Sequence, residues 1–368
     1  MNKLKQSNET IQDLDIMIAI PSVVIAIGFL YMPRVLAEPT IGLDAIYTIL
    51  LGGVITILLT WLGVSLAIHF PGQSFVTYAS KLVSKPIAVA LALLFALHGI
   101  LITCFEVRAI AEISHLYLFN RTPIEVIGLA FLLVVIYAVA GSRVAIFRLN
   151  ALFFPVILVA IFILAVFSLG FTDATNAYPF FQTDLNGYSF ATLRSISTIG
   201  GFGVFGYVLF YVSLIRSPKK TPKMAMYGVI LVILLHLIIF TMTLLVFGNI
   251  TTSNLMFPVI ELARAIELPG GFFNRFDSLF FVVWTMAIFN TTVMTYDLAV
   301  IVFQSVFKNA KKEKLVFLLA PIIFFISGLP KNTYELDYSG RMLSYFGITL
   351  ATGVTLLLFV LHKVRGVK

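Results

Sequence analysis

The chain is poor in charge, in cysteine and in histidine. Only 11% of its 368 residues are Asp, Glu, Lys or Arg, against about 25% in an ordinary soluble domain. Hydrophobic residues make up 60%, and the mean hydropathy is +1.02. That imbalance excludes a water-soluble globular fold. The single cysteine, Cys104, excludes an intrachain disulfide and a cysteine-based metal cluster. His98 and His236 stand without partners at ligand spacing, so no metal, no cofactor and no enzymatic activity is assigned. The net charge of +8 would suit a nucleic acid only until the charges are placed. Most of them fall in membrane-flanking loops, and no nucleic-acid partner is expected. Lys3 and Lys5 precede Glu9, Asp13 and Asp15 with no small-residue cleavage site. A retained first helix is expected there, not a signal peptide.

What the chain has is long apolar runs. Ten segments, mostly of about 20 residues or more, are each sized to cross a bilayer core of about 30 Å. They run near Leu14–Met32, Leu43–Phe70, Ile87–Phe119, Ile124–Ala140, Val144–Phe171, Ser189–Ile215, Met224–Phe247, Asp277–Phe307, Leu315–Leu329 and Met342–His362. With both termini cytoplasmic, inner loops hold seventeen Lys and Arg and outer loops six. That bias obeys the positive-inside rule and predicts ten spans. Of two long outer connections, Thr172–Tyr188 carries Asp173 and Asp184 without a cation. Asn254–Leu268 predicts an amphipathic helix with Glu261, Arg264 and Glu267 on its polar side. It reads as a lid over an outer vestibule or as an ordinary interfacial helix.

Two spans are interrupted by glycine. The first carries Ile27-Gly28-Phe29 and the sixth carries Gly200-Gly201-Phe202-Gly203. Gly28 and Gly201 are 173 residues apart, close to half the chain. Paired interruptions in corresponding spans point to the binding site of an inverted-repeat transporter. Unpaired backbone groups at a break cannot be satisfied by lipid and can be satisfied by a small polar solute. A half-helix starting near Phe29 would aim the positive end of its dipole at mid-bilayer, a seat for a ligand carboxylate. The competing reading of these glycines is close helix packing.

Polar residues inside spans single out further positions. The long third span holds Thr103, Cys104 and Glu106, and a carboxylate near mid-bilayer costs several kcal/mol unless protonated or partnered. Glu106 is therefore a candidate for coupling or gating, with a structural pairing as the rival. Arg108 and Glu112, four residues apart, are expected to pair with each other. In the eighth span, Asn290-Thr291-Thr292-Val293-Met294-Thr295-Tyr296-Asp297 puts Thr292 and Tyr296 on one face. Two hydroxyls there would meet a ligand or an ion, and Asp297 is the second coupling or gating candidate. Threonine in a membrane helix also commonly bonds back to its own helix.

Gly28-Phe29-Leu30-Tyr31-Met32-Pro33 resembles the start of the amino acid–polyamine–organocation permeases. The compact loops, the Gly-Gly-Phe-Gly sixth span and the basic Ser217-Pro218-Lys219-Lys220 loop resemble the B-type subunits of bacterial endospore germinant receptors, over essentially the whole chain. The resemblance implies an all-α integral membrane fold of the leucine-transporter type, with ten transmembrane helices in a 5+5 inverted repeat and helices one and six broken. Repeat one would cover about 13–171 and repeat two about 189–362, in a single membrane domain. It implies a nutrient pocket, for an amino acid or another small germinant, between spans one, three, six and eight. Carried onto this chain, the pocket comprises Ile27, Gly28, Phe29, Thr103, Cys104, Gly200, Gly201, Phe202, Thr292 and Tyr296. Implied partners are the A-type and C-type receptor subunits and the lipid bilayer of the spore inner membrane or the bacterial cell membrane.

Sensing of a nutrient is thus the leading expectation. Its rival is a proton- or sodium-coupled amino acid permease with Glu106 or Asp297 in coupling. A passive water or ion conduit is a third reading. Some proton-driven relatives carry a lysine in mid-span five. Here that span has only Arg148 near its inner end, which disfavours that mechanism, while sodium use through Thr291, Thr292 or Thr295 stays open.

Overall fold

A computed structural model describes residues 11–215, 218–266, 276–307 and 309–366. Glu267 of the expected amphipathic helix and Ser217 of the basic loop lie outside the described residues. Among the described residues the regular elements are helices: α1 (Asp13–Val24), α2 (Ile27–Ala37), α3 (Ala45–Ala67), α4 (Phe75–Leu82), α5 (Lys85–Tyr117), α6 (Ile124–Ala140), α7 (Arg143–Ser168), α8 (Leu185–Ile199), α9 (Phe205–Leu214), α10 (Thr221–Asn254), α11 (Pro258–Ala265), α12 (Phe276–Val306), α13 (Lys312–Ser327) and α14 (Thr333–Arg365). Six of these are long and apolar enough to cross a bilayer, and the α1–α2 pair, bent by 60°, makes a seventh. The remaining helical segments at expected span positions are shorter: α6, α13 and the interrupted α8–α9 pair. The chain is a multi-pass membrane protein, and the tenfold count remains an expectation.

Local sequence explains the helix ends. The Asp184 carboxylate accepts from the Gly187 amide at 2.9 Å and starts α8, and Asn332 does the same for α14 through Glu335, also at 2.9 Å. Gly366, at φ 58°, closes α14 in the left-handed conformation that glycine adopts freely. This last helix begins nine residues before the expected Met342. Its first turns carry Glu335, Asp337 and Arg341, a polar stretch that hydropathy alone places outside a span. The short helix α4, capped by Ser74, has no apolar run to announce it.

Burial sorts the helices. In α12, 78% of the most apolar window is enclosed, and it packs along α5; in α7 only 28% is enclosed, so most of that helix faces lipid. The long connection after α7 is anchored by Asp44, whose carboxylate accepts from the amides of Phe181, Gln182 and Thr183 at 2.7, 3.0 and 2.9 Å. At the opposite end, the Ile11 amide donates to Leu214 O at 3.1 Å in an isolated parallel bridge. The Thr221 hydroxyl donates to Asp13 beside it. These contacts join the segment before α1 to the residues that follow α9.

Candidate functional site

The first interruption is a single tight turn. Ile25, at φ −79° and ψ 77°, has the geometry of an inverse γ-turn, and the Ala26 amide donates back to Val24 O at 2.9 Å. Ala26 leaves helical geometry altogether, at φ −134° and ψ −142°. Carbonyls freed by the turn are taken by side chains of α12: Thr291 Oγ1 donates to Val23 O at 2.7 Å and Trp284 Nε1 to Ala26 O at 3.2 Å. The break therefore lies at Ile25–Ala26, ahead of the expected Gly28, which sits in the first turn of α2. Its physical basis is satisfaction of backbone groups by a distant helix, and glycine is not required for it.

The second interruption falls where the glycines put it. Gly201, Phe202 and Gly203 have φ of 56°, 57° and 95°, three successive residues in the left-handed half of backbone space. For a phenylalanine this conformation costs roughly 1–2 kcal/mol. Packing offsets that cost: the Phe202 ring stacks on Tyr31 at 6.2 Å and meets Phe105 edge-on at 5.9 Å. The same ring lies against Gly28, 3.2 Å from where a Cβ would stand. On the other side, a Cβ at Gly203 would lie 2.3 Å from the Gly347 carbonyl carbon of α14. His98 from α5 reaches this junction, its Nδ1 paired with the Tyr207 hydroxyl at 2.8 Å. Gly347, His98, Tyr31 and Trp284 all stand at the breaks, and the sequence marks none of them as a pocket residue. Their signal is a contact across more than a hundred residues, which spacing does not carry.

Beside the first break stands Glu106, 1% exposed. Its carboxylate faces the backbone amide of Ile27, the first residue of α2. The helix start that the sequence offers to a ligand carboxylate thus has an acidic side chain of the protein itself beside it. Its Oε2 has no hydrogen-bond partner. Thr103, one turn earlier, bonds Thr295 Oγ1 at 2.9 Å and Gly99 O at 2.7 Å, tying α5 to α12.

The other expected pocket residues divide. Ile27, Gly28, Gly200, Gly201 and Phe202 gather at the two breaks. Phe29 is buried between Trp284, with ring centroids 5.4 Å apart, and His236, at 5.1 Å. Cys104 turns to the far side of α5 and lines a cavity of about 300 Å³ with Ser327, Pro330 and Met342. Thr292 donates to Ile288 O of its own helix at 2.7 Å, and Tyr296 donates to Val316 O of α13 at 2.5 Å. Both hydroxyls donate to backbone, Thr292 within α12 and Tyr296 across to α13.

Small cavities flank the unwound residues. One of about 40 Å³ lies on the α2 side, lined by Tyr31, Arg194, Thr198, Phe202 and Asp337 among others. A second, also about 40 Å³ and almost wholly apolar, is lined from α1 and α9 by Ala19, Val23, Phe205 and Tyr211, together with Phe147 and Met294. Residues 199–205 contribute to both.

Ion pairs close each end. On the α2 side, Arg34 and Arg341 both bind Asp337 at 3.0 Å, and Arg194 binds Glu38 at 2.5 Å. Arg34 Nη1 also donates to Met256 Sδ at 3.0 Å, so the segment ahead of α11 joins this closure. On the α9 side, the buried Asp297 carboxylate meets Arg143 at 3.3 Å and Lys312 at 3.4 Å, and the Tyr211 hydroxyl reaches it at 3.4 Å. Arg108 and Glu112 pair at 3.1 Å within α5, as the spacing predicts, and Thr333 donates to Glu112.

Facing interruptions in two helices, a buried acid beside the first and ionic closures on either side define a transporter-type membrane fold. Solved structures share it. MhsT in complex with L-phenylalanine superposes with a TM-score of 0.76 over 98% of this chain and 90% of that one, at 19% identity. Mhp1, a nucleobase-cation-symport-1 family transporter, gives 0.63 over 90% and 75%, at 12%. The fold is thus of the leucine-transporter type. A model of the family described as "Spore germination protein" matches residues 10–336, and the chain belongs to that family. Among its relatives, spore germination protein GerLB of Bacillus cereus is 37% identical over 99% of this chain and 97% of its own length. Spore germination proteins B2 and YndE of Bacillus subtilis (strain 168) are 29% and 28% identical, each over 95% of this chain and at least 94% of their own lengths.

Proposed function

We propose that this spore germination protein binds a small nutrient at the breaks in α1–α2 and α8–α9 and passes the event to partner subunits of a germinant receptor. The observation that carries the reading is the meeting of the two interruptions: the Phe202 ring on Gly28, with the unpartnered Glu106 oxygen beside the Ile27 amide. A protein that only needed to span the bilayer would gain nothing from an isolated buried acid at an open helix end. The pocket takes an amino acid or another small germinant. A-type and C-type receptor subunits are the partners, and the spore inner membrane is the location, with ten spans and both termini cytoplasmic as the Lys and Arg bias supports.

A coupled permease is the second reading, favoured by one observation. Ion pairs stand on both sides of the breaks, Arg34–Asp337 and Arg143–Asp297, as alternating access requires. Spores lacking the chain separate the two when tested on individual nutrients. A lost germination response with unchanged uptake of that nutrient in growing cells selects the sensor; parallel loss of uptake selects the permease.

A further inference from the structure

We propose that Asn150 and Asn290 form a buried amide pair that biases the first half of α7 to swing away from α12, against the ionic closure on the α9 side. The two helices run antiparallel and are fastened at two levels. Arg143 Nε donates to Asp297 Oδ2 at 3.3 Å, and the rings of Phe153 and Phe289 meet with centroids 6.1 Å apart. Asn150 lies seven residues after Arg143, and Asn290 seven before Asp297, about two turns along each helix. The register between the fastenings therefore brings the two asparagines to one level. Both are 1% exposed.

Neither amide is satisfied. Among the described residues, Nδ2 and Oδ1 of Asn150 and of Asn290 all lack a hydrogen-bond partner. Their neighbours on α12 are not left so: Thr291 donates to Val23 O and Thr295 to Thr292 O. A buried amide without partners costs free energy that a leucine of similar size would not. Four open polar atoms at one level thus make the closed packing of α7 on α12 less stable than apolar residues would. They stand where the chain can yield. Pro155 lies inside α7 and has no N–H to give to the Ala151 carbonyl, so the helical ladder is broken just past Asn150. Of the six long apolar helices, α7 also has the smallest enclosed share, 28%. A swing about Pro155 parts the two asparagines and opens their amides to water at the end where α7 begins. Arg143 resists it through Asp297 and through Gln304 Oε1, to which its Nη2 donates at 2.5 Å. Latch and amide pair pull in opposite directions, which holds the closure near balance whether its opening serves signalling or transport.

The test uses the full-length chain in detergent, in a Cys104→Ser background. Phe147, one turn before Asn150, is 1% exposed and meets Tyr211 edge-on at 5.5 Å. Phe147→Cys therefore reports opening through its rate of modification by a small water-soluble thiol reagent. Val144→Cys, at a position 7% exposed, is the second reporter if the first does not accumulate. Asn150→Leu combined with Asn290→Leu should slow modification at least fivefold and raise the thermal unfolding midpoint. Arg143→Gln should speed it at least fivefold, and adding that change to the double leucine variant should return the rate towards its starting value. Faster modification with a lower midpoint in the leucine variant would show that the amides hold α7 on α12, and would overturn the proposal. A raised midpoint with an unchanged rate would do the same, by reducing the pair to a packing defect. Each single leucine substitution is measured too, and a loss of folded protein in both would also count against it.

Discussion

The Phe202 ring closes over Gly28, leaving 3.2 Å for a methyl group that would replace the glycine hydrogen. That spacing is tight but bounded by the far end of a side chain, so a few tenths of an ångström of ring movement accommodates it. Gly28→Ala should therefore preserve protein level. It should raise the nutrient concentration for half-maximal germination about three- to tenfold, equivalent to roughly 0.7–1.4 kcal/mol. Dose–response curves with immunoblots on the same spores measure both. Equal losses of abundance and response would assign Gly28 to helix packing.

Gly203 is a different case. A Cβ there would stand 2.3 Å from backbone atoms of Gly347, and the residue has φ 95°. No rotamer relieves a contact with main chain. Gly203→Ala should cost more than about 3 kcal/mol and deplete the folded protein. Gly353→Ala, on the same helix as Gly347 with open space at its Cβ, should be neutral or stabilising by up to about 1 kcal/mol. Thermal unfolding of the two purified variants provides the comparison.

Asp297 is enclosed between two cations. Asp297→Asn leaves Arg143 and Lys312 without their shared anion and should destabilise by about 3 kcal/mol, while lowering the maximum germination response more than its midpoint. Adding Arg143→Gln should recover part of the loss, since coupled residues give interaction energies of about 0.5–3 kcal/mol. Strict additivity of the two substitutions would show that the pair is not a latch.

For Thr292 and Tyr296 the hydrogen bonds set the expectation. Tyr296→Phe removes a bond to Val316 O and should lower stability by about 0.5–1.5 kcal/mol, with the nutrient midpoint unmoved. Thr292→Val removes only a bond within its own helix and should change little. A shifted midpoint in either variant, at normal protein level, would return that hydroxyl to the pocket.

Topology is tested by labelling. In a Cys104→Ser background, a membrane-impermeant thiol reagent applied from outside should modify Asp184→Cys and Asn332→Cys but not Lys220→Cys or Lys312→Cys. Labelling at residue 220 would overturn the proposed orientation with both termini cytoplasmic.

The sixth-span break was legible because glycine itself is the physical requirement: three left-handed residues in a row, one in contact with backbone. The first break was legible only to within a few residues. Its position is fixed by Trp284 and Thr291, more than 250 residues further along, which take the carbonyls that a helix would have used. Hydropathy found the apolar runs, yet it missed the start of α14, whose charges are paired within the fold. Periodicity placed Thr292 and Tyr296 on one face correctly but could not say which neighbour that face meets. Glu106 stood out by its cost in lipid; that it faces the Ile27 amide is a matter of tertiary geometry alone.

The backbone bridge from Ile11 to Leu214 gives the two interrupted helices a common foot. Each break on its own would be an independent joint, free to flex while the other stayed straight. With the lower halves clipped together, a swing of α1 drags α9 along, and Asp13 and Thr221 carry the same pull into the start of α10. Under the proposed binding at the breaks, a solute wedged at the upper joints works on one lever, and its handle emerges at the start of α10.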